Sequence, residues 1–501
     1  MGFPHRRKGG AGPLVVWGLV LGLAVVIFLT QDEAGWASPA NGAATIFSPN
    51  RVSGAAGRND ERDADVYPAA AYDPVIGRYL AVWMTPRNAQ SSSDGFDVYG
   101  VFLDRTGRPV GSEFRISDSN AAARNGPPAV AAGHGEFAVA WTRRGASCQI
   151  YVQRVTDASF RTDRVLTSGS GHHHSPSLIY NPVRQRYALA YVEGDDYLPP
   201  TFVGAQTADC GNNISSTSSI QAMEFSFSRD DLVGSIPFRI SDGTAGTFRP
   251  RFAYSAGLNQ YLAAWEDRRN AAGQPYRFDV YAHRLHGDMT STESDILLAA
   301  GGTYTNDDTS ATWTPRPVVA GGNSSFLAAW FSRETQDSAV IWSVTGRLVP
   351  VSGSPLTPFR VAEMSFAQSH AGQSPTGFLA AASLGSAQEY LVGMTSHLES
   401  VWGYLSFALI QRVSNAGQLL KMDGSPQSQP GVGSSVDYEN DEQVAISIAE
   451  NPASGVGTAD YLAVYSKHSR NRSETDFDIW GARVQIATPA LQRVYLPLLL
   501  R

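Results

Sequence analysis

The string Trp265-Glu266-Asp267-Arg268-Arg269 is the densest cluster of charge in a chain that uses charge sparingly. Two carboxylates and two guanidiniums in consecutive positions allow two kinds of chemistry. An arginine fork grips the carboxylate or phosphate of a ligand in bidentate fashion. The same residues also close a loop on themselves as local ion pairs. Arginines recur at comparable places, Arg87, Arg143, Arg144, Arg333 and Arg470, and recurrence favours the ion-pair reading. With the loop aromatics Tyr276 and Trp313, residues Glu266, Asp267, Arg268 and Arg269 are the ligand contacts that the sequence offers.

Other clusters promise less. An FD[VI][YW] motif places Asp97, Asp279 and Asp478 at one register in three units. A single active site does not need one general acid or base per unit. The expected role is structural, accepting hydrogen bonds where a strand begins. His172-His173-His174 offers three imidazoles, but successive strand residues alternate faces and cannot easily share one ion. The acidic stretches Asn59-Asp60-Glu61-Arg62-Asp63-Ala64-Asp65 and Asn306-Asp307-Asp308 are oxygen-rich, as calcium loops are, but lack the D-x-[DN]-x-[DN]-G spacing. No metal ligand or cofactor is therefore assigned, and Ca2+ is the one ion left open. There is no S-x-D-x-G-x-x-W box of the sialidase type, no G-x-S-x-G elbow, no H-E-x-x-H and no phosphate-binding glycine loop. No catalytic residue is assigned. Carboxylates that converge in space are the remaining enzymatic route.

These residues need elements to hold them, and the chain supplies a repeat. Its clearest copy runs PAAAYDPVIGRYLAVWMTPR (68–87), FDVYGVFLDRTGRPVG (96–111) and EFRISD (113–118). A second runs PRFAYSAGLNQYLAAWEDRR (250–269) and FDVYAHRL (278–285), a third YLAVYSKHSR (461–470) and FDIWGARV (477–484). Each copy reads as four strands, here A to D. A short apolar strand A leads through a turn such as Asp73-Pro74 or Asn181-Pro182 to the aromatic strand B. Strand C is FDVYGVFL and strand D is FRIS. Aligning strand B gives Trp83, Trp141, Tyr191, Trp265, Trp330, Gly393 and Tyr465, about 64 residues apart on average. Seven four-stranded units at this spacing predict an all-β, seven-bladed β-propeller. The last unit has no FRIS strand, whereas Asn50-Arg51-Val52-Ser53 matches FRIS near the N-terminus. The N-terminal strand is expected to complete blade 7 and close the ring, which removes open sheet edges.

The chain resembles secreted bacterial β-propeller repeat proteins with YLAVW…FDVYG-type repeats. The resemblance implies the fold and says little of function, because propellers host both enzymes and binding scaffolds. Composition agrees with it. A chain of 501 residues, 43% hydrophobic and 17% charged, is neither disordered nor a multi-span membrane protein. A net charge of -7 argues against a nucleic-acid partner.

Residues 1–40 carry Arg6, Arg7 and Lys8 before an apolar run from Leu14 to Thr30, which reads as a signal peptide or an N-terminal membrane anchor. Everything after it is expected outside the cytoplasm, secreted or at the cell surface. Contact with a membrane is expected only through that segment if it stays uncleaved. The propeller domain spans 41–488. The tail 489–501 contains the apolar stretch Val494 to Leu500, similar to short YLPL-type tails of secreted bacterial proteins. Cys148 and Cys210 fall on neighbouring long loops of one face, and in an oxidising compartment they are expected to pair. Those loops also carry Tyr197, Phe202 and Tyr304. The leading expectation is a non-enzymatic propeller that binds a protein or glycan at its long-loop face. The alternatives are a secreted polysaccharide-acting hydrolase or lyase with carboxylates in the central funnel, and a structural envelope component.

Overall fold

The structure, a computed structural model, describes residues 43–487 apart from 55–64, 88–94, 119–123, 157–158, 161–162, 196–209, 211–216, 229–230, 243–245, 272–276, 292, 304–314, 337–338, 366–378, 385–387, 401–402, 429, 431–433, 438–442, 452–457 and 469–476. Among the described residues every regular element is a strand. The strands form seven separate antiparallel sheets. Blade 1 shows the plan, with strand A at Val66–Asp73, B at Arg78–Thr85, C at Asp97–Leu103 and D at Pro109–Arg115. The A strands of blades 2 to 7 follow in chain order, and each touches the A strand of the next blade. That of blade 7, Gln443–Asn451, touches Val66–Asp73 of blade 1. The result is a seven-bladed ring around a central channel lined by A strands.

Both faces of a blade are buried, which explains why FDVYGVFL does not alternate between apolar and polar. The core is divided into packets between neighbouring blades. Leu80, Val82, Phe102, Phe137, Val139 and Trp141 join blades 1 and 2, for example. Val52, Trp83, Leu103, Leu462 and Ile479 join blades 1 and 7. Gly393 stands in blade 6 where other blades carry an aromatic ring. A Cβ there would meet Ile448 and Ile446 of blade 7 at 2.7 and 3.0 Å, so the neighbour's isoleucines fill the space.

Short polar signals set the turns as expected. Asp73 Oδ1 accepts the N–H groups of Val75 and Ile76, both at 2.8 Å, and Asn181 Oδ1 accepts those of Val183 and Arg184 at 2.9 and 3.1 Å. The FRIS serine completes the ladder beside strand C: Ser117 Oγ takes the N–H of Val98 at 3.0 Å, and Ser241 Oγ that of Ile220 at 3.0 Å. In blade 7, Ala44–Ile46 and Asn50–Arg51 pair antiparallel with Phe477–Ala487, with Ala44 opposite Ile486 and Arg51 opposite Trp480. The described chain therefore enters and leaves at the face that carries the A–B turns. Cys148 and Cys210 form a disulfide with a Cα–Cα distance of 5.6 Å, which ties the long loop of blade 3 to strand C of blade 2.

Candidate functional site

The A–B ladder breaks in the same way near the start of several A strands. In blades 1, 3 and 4 two residues of strand A oppose one of strand B: Tyr67-Pro68 faces Trp83, Ser175-Pro176 faces Tyr191, and Arg249-Pro250 faces Trp265. Proline has no N–H for the ladder, so an unpaired bulge position suits it. The residue before each proline has positive φ: 54° at Tyr67, 55° at Ser175, 51° at Arg249, and 44° at Arg316, which precedes Pro317 in blade 5. Side chains larger than glycine at such angles cost roughly 1–3 kcal/mol each, a strain that concentrates at functional sites. Here it turns these residues out of the ladder at the mouth of the channel, opposite the A–B turns.

Three of these side chains, joined by that of Arg251, converge there. Arg249 and Arg316 come from adjacent blades and Tyr67 from the opposite side of the ring. Burial raises the proton affinity of the Tyr67 phenol, and Arg316 and Arg249 pull it down from across the channel. Arg251 follows two residues after Arg249; it is open to the channel yet ringed by protein. Burial holds the Arg251 guanidinium below its usual range, and the charge of Arg249 adds to the effect. Burial lowers Arg316 to about 10, reinforced by Arg249 and Arg251 and opposed by Tyr67 and Glu266.

Glu266 is the carboxylate of this cluster. It lies in strand B of blade 4, Gln260–Asp267, and is fully buried. Its Oε2 accepts Arg249 Nη1 at 2.8 Å and its Oε1 accepts the backbone N–H of Arg316 at 2.8 Å. In blade 2 the residue after the strand-B tryptophan is Thr142, whose hydroxyl accepts the N–H of Ser175 at 3.1 Å. Glu266 keeps that inter-blade bond to the next bulge and adds a charge. Among the described residues, three guanidiniums and one carboxylate meet at this mouth, and an arginine fork there is suited to a carboxylate or other anion.

The structure separates the residues expected to act together. Asp267 is buried against the strand and accepts Trp265 Nε1 at 2.9 Å and Arg269. Arg269 also reaches Asp295 and lies 3.9 Å from the Tyr281 ring centroid. Arg268 sits 5.9 Å over Phe278. Of the four charged residues, Glu266 alone is placed here in the axial cluster. Tyr276 and Trp313 lie outside the described residues, as do Tyr197, Phe202, Tyr304, Arg470, Asn59 to Ala64, Asn306 to Asp308, and the segments 1–40 and 489–501. The repeated arginine is an element of construction: Arg87 over Tyr99 pairs with Glu113 and Asp65, and Arg143 over Tyr151 pairs with Asp163.

The motif aspartates hold strands and loops. Asp97 accepts Arg115 and Ser117 of strand D, Asp478 accepts Arg51, and Asp279 accepts Asn270 and Gly301. The three histidines point to different partners. His172 Nδ1 accepts the Cys148 N–H, His173 meets Gln149, and His174 meets Gly194 and Ser175. Among the described residues no group of three or more His, Cys, Asp or Glu is arranged to hold a metal.

No family model matches the chain, and no curated protein matches it. Solved structures do. A Trypanosoma rangeli sialidase in complex with the inhibitor DANA aligns over 88% of this chain and 59% of its own, with TM-score 0.44 and 9% identity. The NanB sialidase from Streptococcus pneumoniae in complex with 2-[(3-chlorobenzyl)ammonio]ethanesulfonate aligns over 88% of this chain and 70% of its own, with TM-score 0.42 and 9% identity. The chain thus spans 59% of the length of the first of these enzymes. The likeness is one of fold. The matching structures are sialidases, against the expectation of a non-enzymatic binding propeller, and the alternative of a glycan-acting hydrolase is taken up as a proposal below.

Proposed function

We propose that this chain is an extracellular hydrolase of glycans that carry an acidic sugar, acting at the mouth of the central channel. The observation that carries the reading is the grouping of Arg249, Arg251 and Arg316 with Glu266 at that mouth. Burial and like charge weaken the hold of Arg316 on its proton, and a bound sugar carboxylate would relieve both effects. The Cys148–Cys210 disulfide is compatible with the oxidising compartment where such glycans are met.

In this reading the arginines anchor the carboxylate and set the ring of the sugar across the channel. Tyr67 stands on the far wall and is assigned as the nucleophile toward the anomeric carbon, a role tyrosine takes in some glycoside hydrolases. Burial keeps the proton affinity of the phenol raised on balance, and positive charge on the arginines works against it, toward the phenolate that attacks. Glu266 contacts the arginines and is assigned a positioning role.

The test is turnover of fluorogenic acidic glycosides, a sialic acid glycoside and a uronic acid glycoside among them. Activity is expected with at least one, with a loss of about 100-fold or more in kcat/KM for Arg316→Ala and for Tyr67→Phe. Absence of turnover with every acidic glycoside, together with no rise in melting temperature from the free sugar acids, would overturn the reading.

A further inference from the structure

Away from the channel, blade 4 holds three side chains in a relay. The Nε2 atom of His283 lies 2.7 Å from the Ser291 hydroxyl, and its Nδ1 lies 3.0 Å from Asp295 Oδ1. One tautomer serves both contacts. An ionised carboxylate only accepts, so Nδ1 carries the hydrogen, and Nε2 is the base that receives the serine O–H. Asp295 Oδ2 takes the guanidinium of Arg269 and the backbone N–H of Asp242, which leaves Oδ1 to the imidazole. Burial works against its charge, but His283, Arg269 and the Asp242 N–H outweigh it and hold the carboxyl below its usual range. Ser291 Oγ also accepts the N–H of Glu293 at 3.2 Å, which fixes the hydroxyl in the turn after strand C. His283 and the Asp295 carboxylate are buried, whereas Ser291 is half-exposed, so the hydroxyl is the end of the relay open to solvent.

The ring provides an internal comparison. The Arg269–Asp295 pair recurs as Arg87–Glu113 and Arg143–Asp163, so it belongs to the construction of a blade. The imidazole does not. The position of His283, two residues after the strand-C tyrosine Tyr281, is Val101 in blade 1, Gln153 in blade 2 and Ala482 in blade 7, each at the same register against strand B. Packing between blades is met there by residues without a base. A histidine in the required tautomer, with a serine on one side and a carboxylate on the other, is an addition to the plan.

We propose that Ser291, His283 and Asp295 form a second, nucleophilic site that hydrolyses small acyl esters. Ser291 Oγ bonds to the acyl carbon as its proton passes to His283 Nε2. The ester C–O bond then breaks, and the departing alcohol oxygen takes that proton. Water attacks the acyl-serine, its proton passes to His283 and on to Ser291 Oγ, and a carboxylic acid leaves. Asp295 is a positioning residue that keeps the imidazole in its tautomer. Thr292, whose backbone N–H follows the nucleophile, lies outside the described residues, and no oxyanion donor is assigned. Covalent trapping depends on nucleophile and base more than on turnover, and is the sensitive readout.

The experiment is to incubate the full-length chain with a fluorophosphonate, digest it, and locate the adduct by mass spectrometry. The expected adduct is on Ser291, and hydrolysis of p-nitrophenyl acetate is expected to fall about 100-fold or more in Ser291→Ala and His283→Ala. Asp295→Asn should slow labelling and Asp295→Glu should recover part of the rate, a rescue by the carboxylate that a purely structural role would not show. No adduct on Ser291 in the folded wild-type chain, or an unchanged ester rate in Ser291→Ala, overturns the proposal. The wild-type adduct needs no variant, so a substitution that fails to fold does not decide the matter. An adduct without turnover of acidic glycosides leaves this site standing and the axial reading fallen; turnover without an adduct does the reverse.

Discussion

The hydroxyl of Ser53 accepts the backbone N–H of Ile479 at 2.8 Å, a bond between residues 426 apart in sequence. Arg51 pairs with Asp478 beside it, and the N–H groups of Val52 and Ser53 reach the carbonyl of Ile479. In blade 1 the same contacts are made by Ser117 and Arg115 within 20 residues of Val98 and Asp97. A chain lacking residues 41–54 should therefore expose the outer edge of blade 7 and melt several degrees lower. Differential scanning calorimetry of the truncated and full chains is the check, and an unchanged melting temperature would refute ring closure by this segment.

The disulfide closes a stretch of 62 residues between Cys148 and Cys210. On chain entropy alone such a loop is worth about 4 kcal/mol. Replacing both cysteines by serine should lower the denaturant midpoint accordingly, with the same slope if the folded state is otherwise kept. The comparison is best made as the double substitution, because a single one leaves a reactive thiol.

Glu266 holds two arginine residues from two blades at once, and the consequence of neutralising it is specific. In Glu266→Gln the amide oxygen still accepts the N–H of Arg316, but the contact with Arg249 loses its negative charge. A hydrogen bond to a charged group contributes about 1.5–3 kcal/mol. Chemical denaturation of the variant should show a loss of that order, and Glu266→Ala, which also abandons the inter-blade bond, should lose more.

Glu450 offers a test in pH. It sits near the opposite end of strand A of blade 7, half-buried but ringed by protein, and burial raises its carboxyl to about 8 from 4.5. The folded chain therefore holds a proton between pH 4.5 and 8 that the unfolded chain has released. Stability falls as pH rises through that window and levels off above it. Glu450→Gln should flatten the fall and be more stable than wild type at pH 8, by on the order of 3 kcal/mol after allowance for water in the channel. Equal slopes of melting temperature against pH in the two proteins would refute this.

The blades were legible because strand B and strand C repeat a pattern that packing demands: aromatic residues against the bulge, and an aspartate that secures strand D. The axial site was not. The X-Pro pairs Tyr67-Pro68, Ser175-Pro176, Arg249-Pro250 and Arg316-Pro317 were available as a signal. The informative residue in each is the one that does not repeat, so alignment of the units averages it away. Tyr67 and Arg316 are also 249 positions apart in the chain, and the ring alone brings them face to face. Glu266 was noticed for its charged neighbours, which turned out to serve the loop. Its own partners come from the adjacent strand and the next blade, and no local spacing records them.

Ala44 and Ile486 are paired at the face of the A–B turns, while Tyr67, Arg249 and Arg316 open on the other. A linker grafted at Ala44 or at Ile486 would therefore start from the face turned away from the arginines, and the two graft points should be interchangeable for ligand capture.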